Sequence, residues 1–468
     1  GVWCSAHSRQ IGGTKPMVKA GGDGLPAFVN PLFPKAGPYG GYAFAFPSDT
    51  DWYGPAYAEA WDAILNEEYT AGVRGKIPCN IQMIWGVREG SGGNILNQFS
   101  GTNKGIKAFR KVEFVVTNDI VLSTFSKYAD IVLPATTMWE KEGHIDQGNN
   151  EALFYYSQVT EPLYEAKDEQ WMKRELAKRL GLDPDKIYPL SRKQQLFNKI
   201  AGAEVIKPDG SGYEKLVTIT RQDIHEWGVK GEPQTGRITL KEFKEKGVYQ
   251  VPRSEGDKLV YVAMKEFRDD PEANPLKTSS GKLEIHCQAL SDIIKDYGFT
   301  TIAPIPKYEP PEEGYEETFK DWENGVKGEY PFQLFTIHYP RRSHSVFDNI
   351  PQLREAFPQE FIMNPRDADE LGIKHGDIVK ITSRHGSVIR PVHLSESMMP
   401  GVVTLGQGAW AEIDEETGVC KAGATNVLNG NHLSGQGEET WNTCNVKVEK
   451  WAGKPLEPDY KWPQRIIF

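Results

Sequence analysis

Two histidines, two arginines, two serines and a tyrosine fall within the ten residues 336–345 (TIHYPRRSHS). Guanidinium and imidazole N–H groups make charge-assisted hydrogen bonds to anionic oxygens, so this density of donors suits a phosphate or a heteroaromatic ring. It also suits a solvated basic loop. His338 and His344 stand out in this cluster, and their six-residue spacing does not favour a shared metal. A second stretch, 86–94 (GVREGSGGN), runs from Gly86 to Asn94 and has small residues where backbone must approach a ligand closely, as in a phosphate-binding turn. Its glycines miss the GxGxxG spacing, which leaves a surface loop as the competing reading. Asn118 and Asp119 end an apolar run. A carboxylate there accepts two N–H bonds from a guanine or hydroxyl bonds from a ribose, or it caps the segment that follows. Asn364 stands where a helix would begin and is read as a cap. Gln407, Asn426 and Asn442 carry amides near glycine turns, an arrangement that suits a flat ligand rich in hydrogen bonds and equally suits turns. There is no P-loop, no Ser-His-Asp order and no zinc spacing, so no catalytic nucleophile and no metal ligand is assigned.

The elements that must position these groups follow from periodicity. Apolar stretches at 80–85, 112–117 and 129–134 read as strands, with helical spacing at 56–67 and 103–110 between and before them. Strand, turn, helix, strand is the order of a parallel α/β sheet, whose ligands sit at the carboxyl ends of the strands. Helices are expected at 169–181, 192–200 and 239–247, and strands at 258–263 and 281–286. An acidic, Pro-rich linker runs from 304 to 328. Beyond it, short strands at 332–337, 376–384, 387–394, 401–405 and 443–449 argue for a closed or sandwiched β domain, with one helix near 365–372.

The chain has 468 residues, enough for a large core without disulfide staples. Its net charge of -10 argues against bulk binding to nucleic acid, which selects basic surfaces. No apolar run approaches the ~20 residues of a membrane-spanning helix. The five cysteines, Cys4, Cys79, Cys287, Cys420 and Cys444, lack the short spacings of zinc or iron–sulfur sites and read as free thiols.

Taken together, the blocks KYADIVLP (127–134), ELAKRLG (175–181), EFRDDPEANPLKTSSGKLEIHCQALSDI (266–293), HYPRRSHSVFDN (338–349), NPRDADELGIKHGDIVKI (364–381), SMMPGVVTLGQGAW (397–410), ATNVLN (424–429) and NTCNVKVEKW (442–451) resemble the molybdopterin oxidoreductases, in particular the catalytic subunits of anaerobic dimethyl sulfoxide reductases. The resemblance implies a fold of three parts. These are an incomplete Rossmann-like parallel α/β lobe over 1–165, a mixed helical and strand connecting region over 166–325, and a six-stranded type of β-barrel over 326–468. It implies a bis-molybdopterin guanine dinucleotide carrying molybdenum, with tungsten as the alternative metal. The turn from Gly86 to Asn94 would lie beside one dinucleotide, with Asn118 and Asp119 at its guanosine end and Asp168 as a further contact. His338, Arg342, His344 and Ser345 would line the pterin and phosphates, and Asn364, Gln407, Asn426 and Asn442 would complete that pocket.

Members of that family begin with a cysteine cluster and a half-domain that ligates the metal. Neither is found in this sequence, so the chain looks like the carboxyl-terminal portion of a longer subunit, with any iron–sulfur cluster in the preceding portion. The activity implied is reduction of a small S-oxide or N-oxide by oxygen-atom transfer. An iron–sulfur subunit and a membrane anchor subunit would be partners, in an exported, membrane-associated complex facing the cell exterior or periplasm. Two other readings stand beside it: a cofactor-binding module inactive on its own, and a non-redox tungsten or molybdenum hydratase or hydroxyl transferase of the same fold. An NAD dehydrogenase is disfavoured by the missing GxGxxG.

Overall fold

A computed structural model describes residues 16–26, 60–70, 76–86, 95–141, 143–148, 151–257, 259, 264–296, 303–432 and 442–459. The chain forms two compact units, each assembled from two separated stretches: Gly1–Phe28 with Pro134–Glu284, and Val29–Leu133 with Ile285–Phe468.

In the first unit a hairpin (His144–Gly148 with Ala152–Tyr156) takes Val248–Gln250 as a third antiparallel strand. Leu153, Phe197, Ile200, Leu216 and Phe243 meet in its core. The helices Glu169–Arg179, Arg192–Ala201 and Leu240–Lys246 form where apolar spacing places them. The strand expected over 258–263 lies almost wholly outside the described residues. The strand expected over 281–286 does not form. Leu283 and Ile285 stand 71% and 72% exposed, and the Glu284 carboxylate accepts from Ser279 Oγ and the Ser280 N–H. Short polar side chains there offer the backbone a turn instead of a ladder.

The second unit holds both candidate clusters. Strand β1 (Met83–Gly86) runs parallel to β2 (Phe114–Asp119), and β3 (Ile131–Pro134) completes a sheet of order β1-β2-β3. Parallel neighbours need a crossover. Helices α1 (Ile95–Gln98) and α2 (Thr102–Lys111) lie within it. α2 buries Thr102, Gly105, Ile106 and Phe109, spaced for one helical face. That face packs with Trp61, Leu96, Val115 and Phe125. Gly86 closes β1 against the Phe125 ring; a Cβ there would lie 2.0 Å from it.

The remaining strands are β4 (Phe332–Ile337), β5 (Phe361–Met363), β6 (Ile378–Thr382), β7 (Ser387–Leu394), β8 (Val402–Gly406), β9 (Val419–Cys420) and β10 (Asn445–Lys450). They pair in the order β5-β8-β4-β10-β6-β7, and β7 pairs back onto β5. The ring is a closed six-stranded barrel with β9 added beside β7. Its interior is filled from alternate positions, among them Val379 and Ile381, Val403 and Leu405, Val446 and Val448. The barrel agrees with the expected fold. Among the described residues Cys79, Cys287, Cys420 and Cys444 are free thiols.

Gly86→Ala should destabilise the second unit by about 1–3 kcal/mol, because the methyl group must displace a buried ring. Thermal unfolding measures this; an unchanged midpoint would contradict the packing described.

Candidate functional site

Strand direction decides which candidates meet. β4 and β8 are parallel, and Ile337 lies opposite Gly406, so His338 and Gln407 emerge at the same end of the barrel. The start of β10 lies at this end too. Asn442 Oδ1 accepts from Thr336 N–H at 3.2 Å and from Thr336 Oγ1 at 2.9 Å. The His338 and His344 rings stand edge to face with centroids 5.6 Å apart, both exposed, and Gln407 Nε2 is 3.4 Å from His344 Nδ1. His344 adopts φ 53°, a conformation worth about 1–2 kcal/mol of strain for a residue with a Cβ. Gly408 makes the close approach possible, since a Cβ at that position would fall 1.8 Å from the His344 carbonyl oxygen. Trp410 Nε1–H donates to Ser345 O at 2.7 Å and fixes the other side of the loop.

Under these loops lies a buried ion network. Asp348 Oδ1 accepts from Arg341 Nη2 and from Arg342 Nη1, each at 2.8 Å; Oδ2 accepts from Arg354 Nη2 at 3.2 Å and from the Trp410 N–H at 2.9 Å. Asp459 accepts from Arg341, from the Gln359 N–H and, at 3.3 Å, pairs with Arg390. Arg342, expected on the cofactor side, is buried and spends its other donors inside: Nε on Gln407 O at 2.9 Å, Nη2 on Gln359 Oε1 at 2.5 Å. It therefore holds Gln407 in place. Burial opposes the Asp348 charge, yet Arg342, Arg341 and Arg354 outweigh it and hold the carboxyl below the usual carboxylate range.

The α/β sheet meets this end of the barrel through side-chain ties. Asn97, just after α1 begins, donates to Ala409 O at 2.7 Å, and Thr124 Oγ1 accepts from the Ala411 N–H at 2.9 Å. Asn426 Nδ2 donates to Asn97 O at 2.6 Å and Phe99 O at 3.1 Å. Thus the loop after β2 meets the loop after β8. At the end of β2, Asp119 is fully engaged. Oδ1 accepts from the Ile120 and Val121 N–H groups, and Oδ2 from Ser123 Oγ (2.7 Å) and Ser126 Oγ (2.5 Å). Four bonds fill the lone-pair sites of a carboxylate. Of the two sequence readings of Asp119, the cap is the one these bonds form. Its neighbour differs. Asn118 Oδ1 accepts from Trp85 Nε1–H at 2.9 Å, but its buried Nδ2 finds no acceptor among the described residues.

Two candidates take other partners. Asn364 follows β5, which runs antiparallel to β8, so it lies at the opposite barrel end. There Oδ1 caps the helix α3 (Pro365–Glu370) through Arg366 N–H, and Nδ2 donates to Met398 O. Asp168 belongs to the first unit, where it caps Glu169–Arg179 and pairs with Arg192 at 2.9 Å. Asn94 lies outside the described residues. Asn97, Thr124 and Asn429 were not singled out from sequence. Asn429 is buried, and neither of its amide atoms finds a partner among the described residues. The proximity of Asn97 to the glycine-rich stretch was the available signal for one of them.

Residues 74–179 match the family described as molybdopterin oxidoreductase, and residues 332–440 match the molydopterin dinucleotide binding domain. Dimethyl sulfoxide reductase DmsA of Escherichia coli is 34% identical over 76% of this chain and 40% of its own length. Trimethylamine-N-oxide reductase of Haemophilus influenzae is 30% identical over 80% of this chain and 43% of its own. The chain thus spans about two fifths of the length of these relatives. Acetylene hydratase from Pelobacter acetylenicus shares the fold, with a TM-score of 0.57 over 84% of this chain and 46% of that one at 20% identity.

The ion network has a measurable signature. A depressed carboxyl contributes stability that is complete above its unfolded pKa of about 3.9 and drains away as pH falls below it. The unfolding midpoint should therefore drop steeply below about pH 4. Asp348→Asn should cost about 3–5 kcal/mol at neutral pH, since it strands buried guanidiniums, and should flatten that acid dependence. Equal acid slopes in variant and parent would refute the assignment.

Proposed function

This chain belongs to the molybdopterin oxidoreductase superfamily, and we propose that it is the part of a molybdenum enzyme that grips a bis-molybdopterin guanine dinucleotide during reduction of S-oxides or N-oxides. The observation that carries the reading is the seam itself. His338, His344, Gln407 and Asn442 gather at one barrel end, and that end is tied through Asn97, Thr124 and Asn426 to the carboxyl side of a parallel sheet. We read that sheet as part of a Rossmann-like lobe.

The donor set fits the group. The dinucleotide offers phosphates, a guanine and hydrogen-bonding pterin edges. Opposite them stand exposed imidazoles, the Asn118 amide N–H without an acceptor, and the unbonded Asn442 Nδ2, Gln407 Oε1 and Asn426 Oδ1 among the described residues. Asn118 would meet the guanosine end. His338, His344, Ser345, Gln407, Asn426 and Asn442 would hold pterin and phosphates. Asp119 and Arg342 would act from behind, fixing the loops that carry the contacts. When bound, the metal supplies oxygen-atom transfer and two-electron exchange; the protein supplies binding and orientation. We assign electron delivery to an iron–sulfur subunit, with a membrane anchor subunit beside it, in an exported complex.

The shared fold with a hydratase favours one rival, a non-redox reaction at the same cofactor. The purified native protein should contain molybdenum, release GMP on acid hydrolysis, and oxidise reduced viologen when given dimethyl sulfoxide or trimethylamine N-oxide. Neither metal nor GMP would end the reading. Alkyne hydration without viologen oxidation would install the rival.

A double variant, His338→Ala with His344→Asn, should leave stability within about 0.5 kcal/mol, because both side chains are exposed. It should nevertheless retain less GMP-releasing cofactor per chain. Full retention would remove these histidines from the binding set.

A further inference from the structure

The second unit carries another cluster, separate from the residues assigned to the dinucleotide. Glu313 comes from the acidic stretch ahead of the barrel, His385 from the hairpin joining β6 and β7, and His432 from the loop before β10. Glu313 Oε1 lies 2.7 Å from His385 Nε2 and 3.2 Å from His432 Nε2, and the three ligand atoms all fall within 4.8 Å of one another. The Glu313 side chain is 2% exposed, and its second oxygen faces the Asn445 N–H at 3.4 Å.

We propose that Glu313, His385 and His432 form a divalent metal site of the Zn²⁺ class, clamping the acidic linker to the barrel, with one coordination position left for water. Four observations support it. Two imidazoles and a carboxylate are the donor set of three-ligand zinc sites, with M–N and M–O near 2.0–2.2 Å. Ligands on a tetrahedral ion then stand about 3.3 Å apart, so the Glu313–His432 contact at 3.2 Å already matches and the Glu313–His385 contact at 2.7 Å would open by about half an ångström. The far nitrogen of His432, Nδ1, pairs with the Glu312 carboxylate, the outer-shell arrangement that orients metal-bound histidines. Finally, Gly430 keeps the approach open: a Cβ there would lie 2.5 Å from His385 Nε2 and 2.7 Å from His432 Nε2.

The assignment is independent of the cofactor reading. The test uses the full chain after chelator treatment and dialysis, titrated with Zn²⁺ by calorimetry and with Co²⁺ by visible absorption. The expected result is saturable uptake of a single equivalent, tetrahedral Co²⁺ bands, and a higher unfolding midpoint with metal. His385→Gln and Gly430→Ala should abolish uptake. Glu312→Gln, an exposed change that leaves the fold alone, should weaken it roughly 10–100-fold. Absence of saturable uptake in the folded parent chain would overturn the site, as would uptake that His385→Gln and Glu312→Gln both leave unchanged. The cluster would then be a proton-bridged clamp only.

Discussion

The barrel end that gathers His338, Gln407 and Asn442 depends on one carboxylate. Asp348 is completely buried and binds three guanidiniums together with the Trp410 backbone N–H. An ion taken out of water without partners costs several kcal/mol, so none of these groups can move alone. Among the described residues, Arg341, Arg342, Arg354 and Arg390 form ion pairs only with Asp348 and Asp459. The surplus positive charge is met by carbonyl dipoles: Gln407 O, Gly406 O, Phe357 O, Gln359 O and Lys421 O. Charge thereby fixes backbone. The loop after β4 and the loop after β8 are fastened to the same buried oxygens, and their exposed residues inherit that rigidity.

Much of the fold was legible because burial imposes a period. β4 and β7 fall where alternation placed them, and β6, β8 and β10 differ at their ends only. The barrel's closure through β7 and β5 was not legible locally; it depends on pairing between distant strands. The interleaving of two units from four stretches has no local signal either.

At the site, residue type revealed which groups matter but not what they face. Arg342, Asp119 and Asn364 were read as possible ligand contacts, yet each meets an internal partner. A guanidinium bound to a carboxylate six residues away and one bound to a phosphate look the same in sequence. The partner of Arg341 at Asp459 lies 118 residues distant, and Glu313 and His432 are separated by 119. Such clusters arise from topology, so spacing rules designed for a single loop or helix pass over them.

The arrangement separates two tasks that single-residue reasoning merges. Exposed groups whose donors or acceptors are unspent among the described residues, such as His338 and the Asn442 amide, have bonds left to offer. Saturated groups, such as Asp119 with four incoming bonds, have nothing left to offer and can only position others. The same saturated framework could carry different exposed groups without refolding. That is why a fold shared with a hydratase and a sequence shared with oxide reductases are compatible. Which side chains remain unsatisfied bounds what such a scaffold can bind, and satisfaction is a property of the folded chain rather than of any motif.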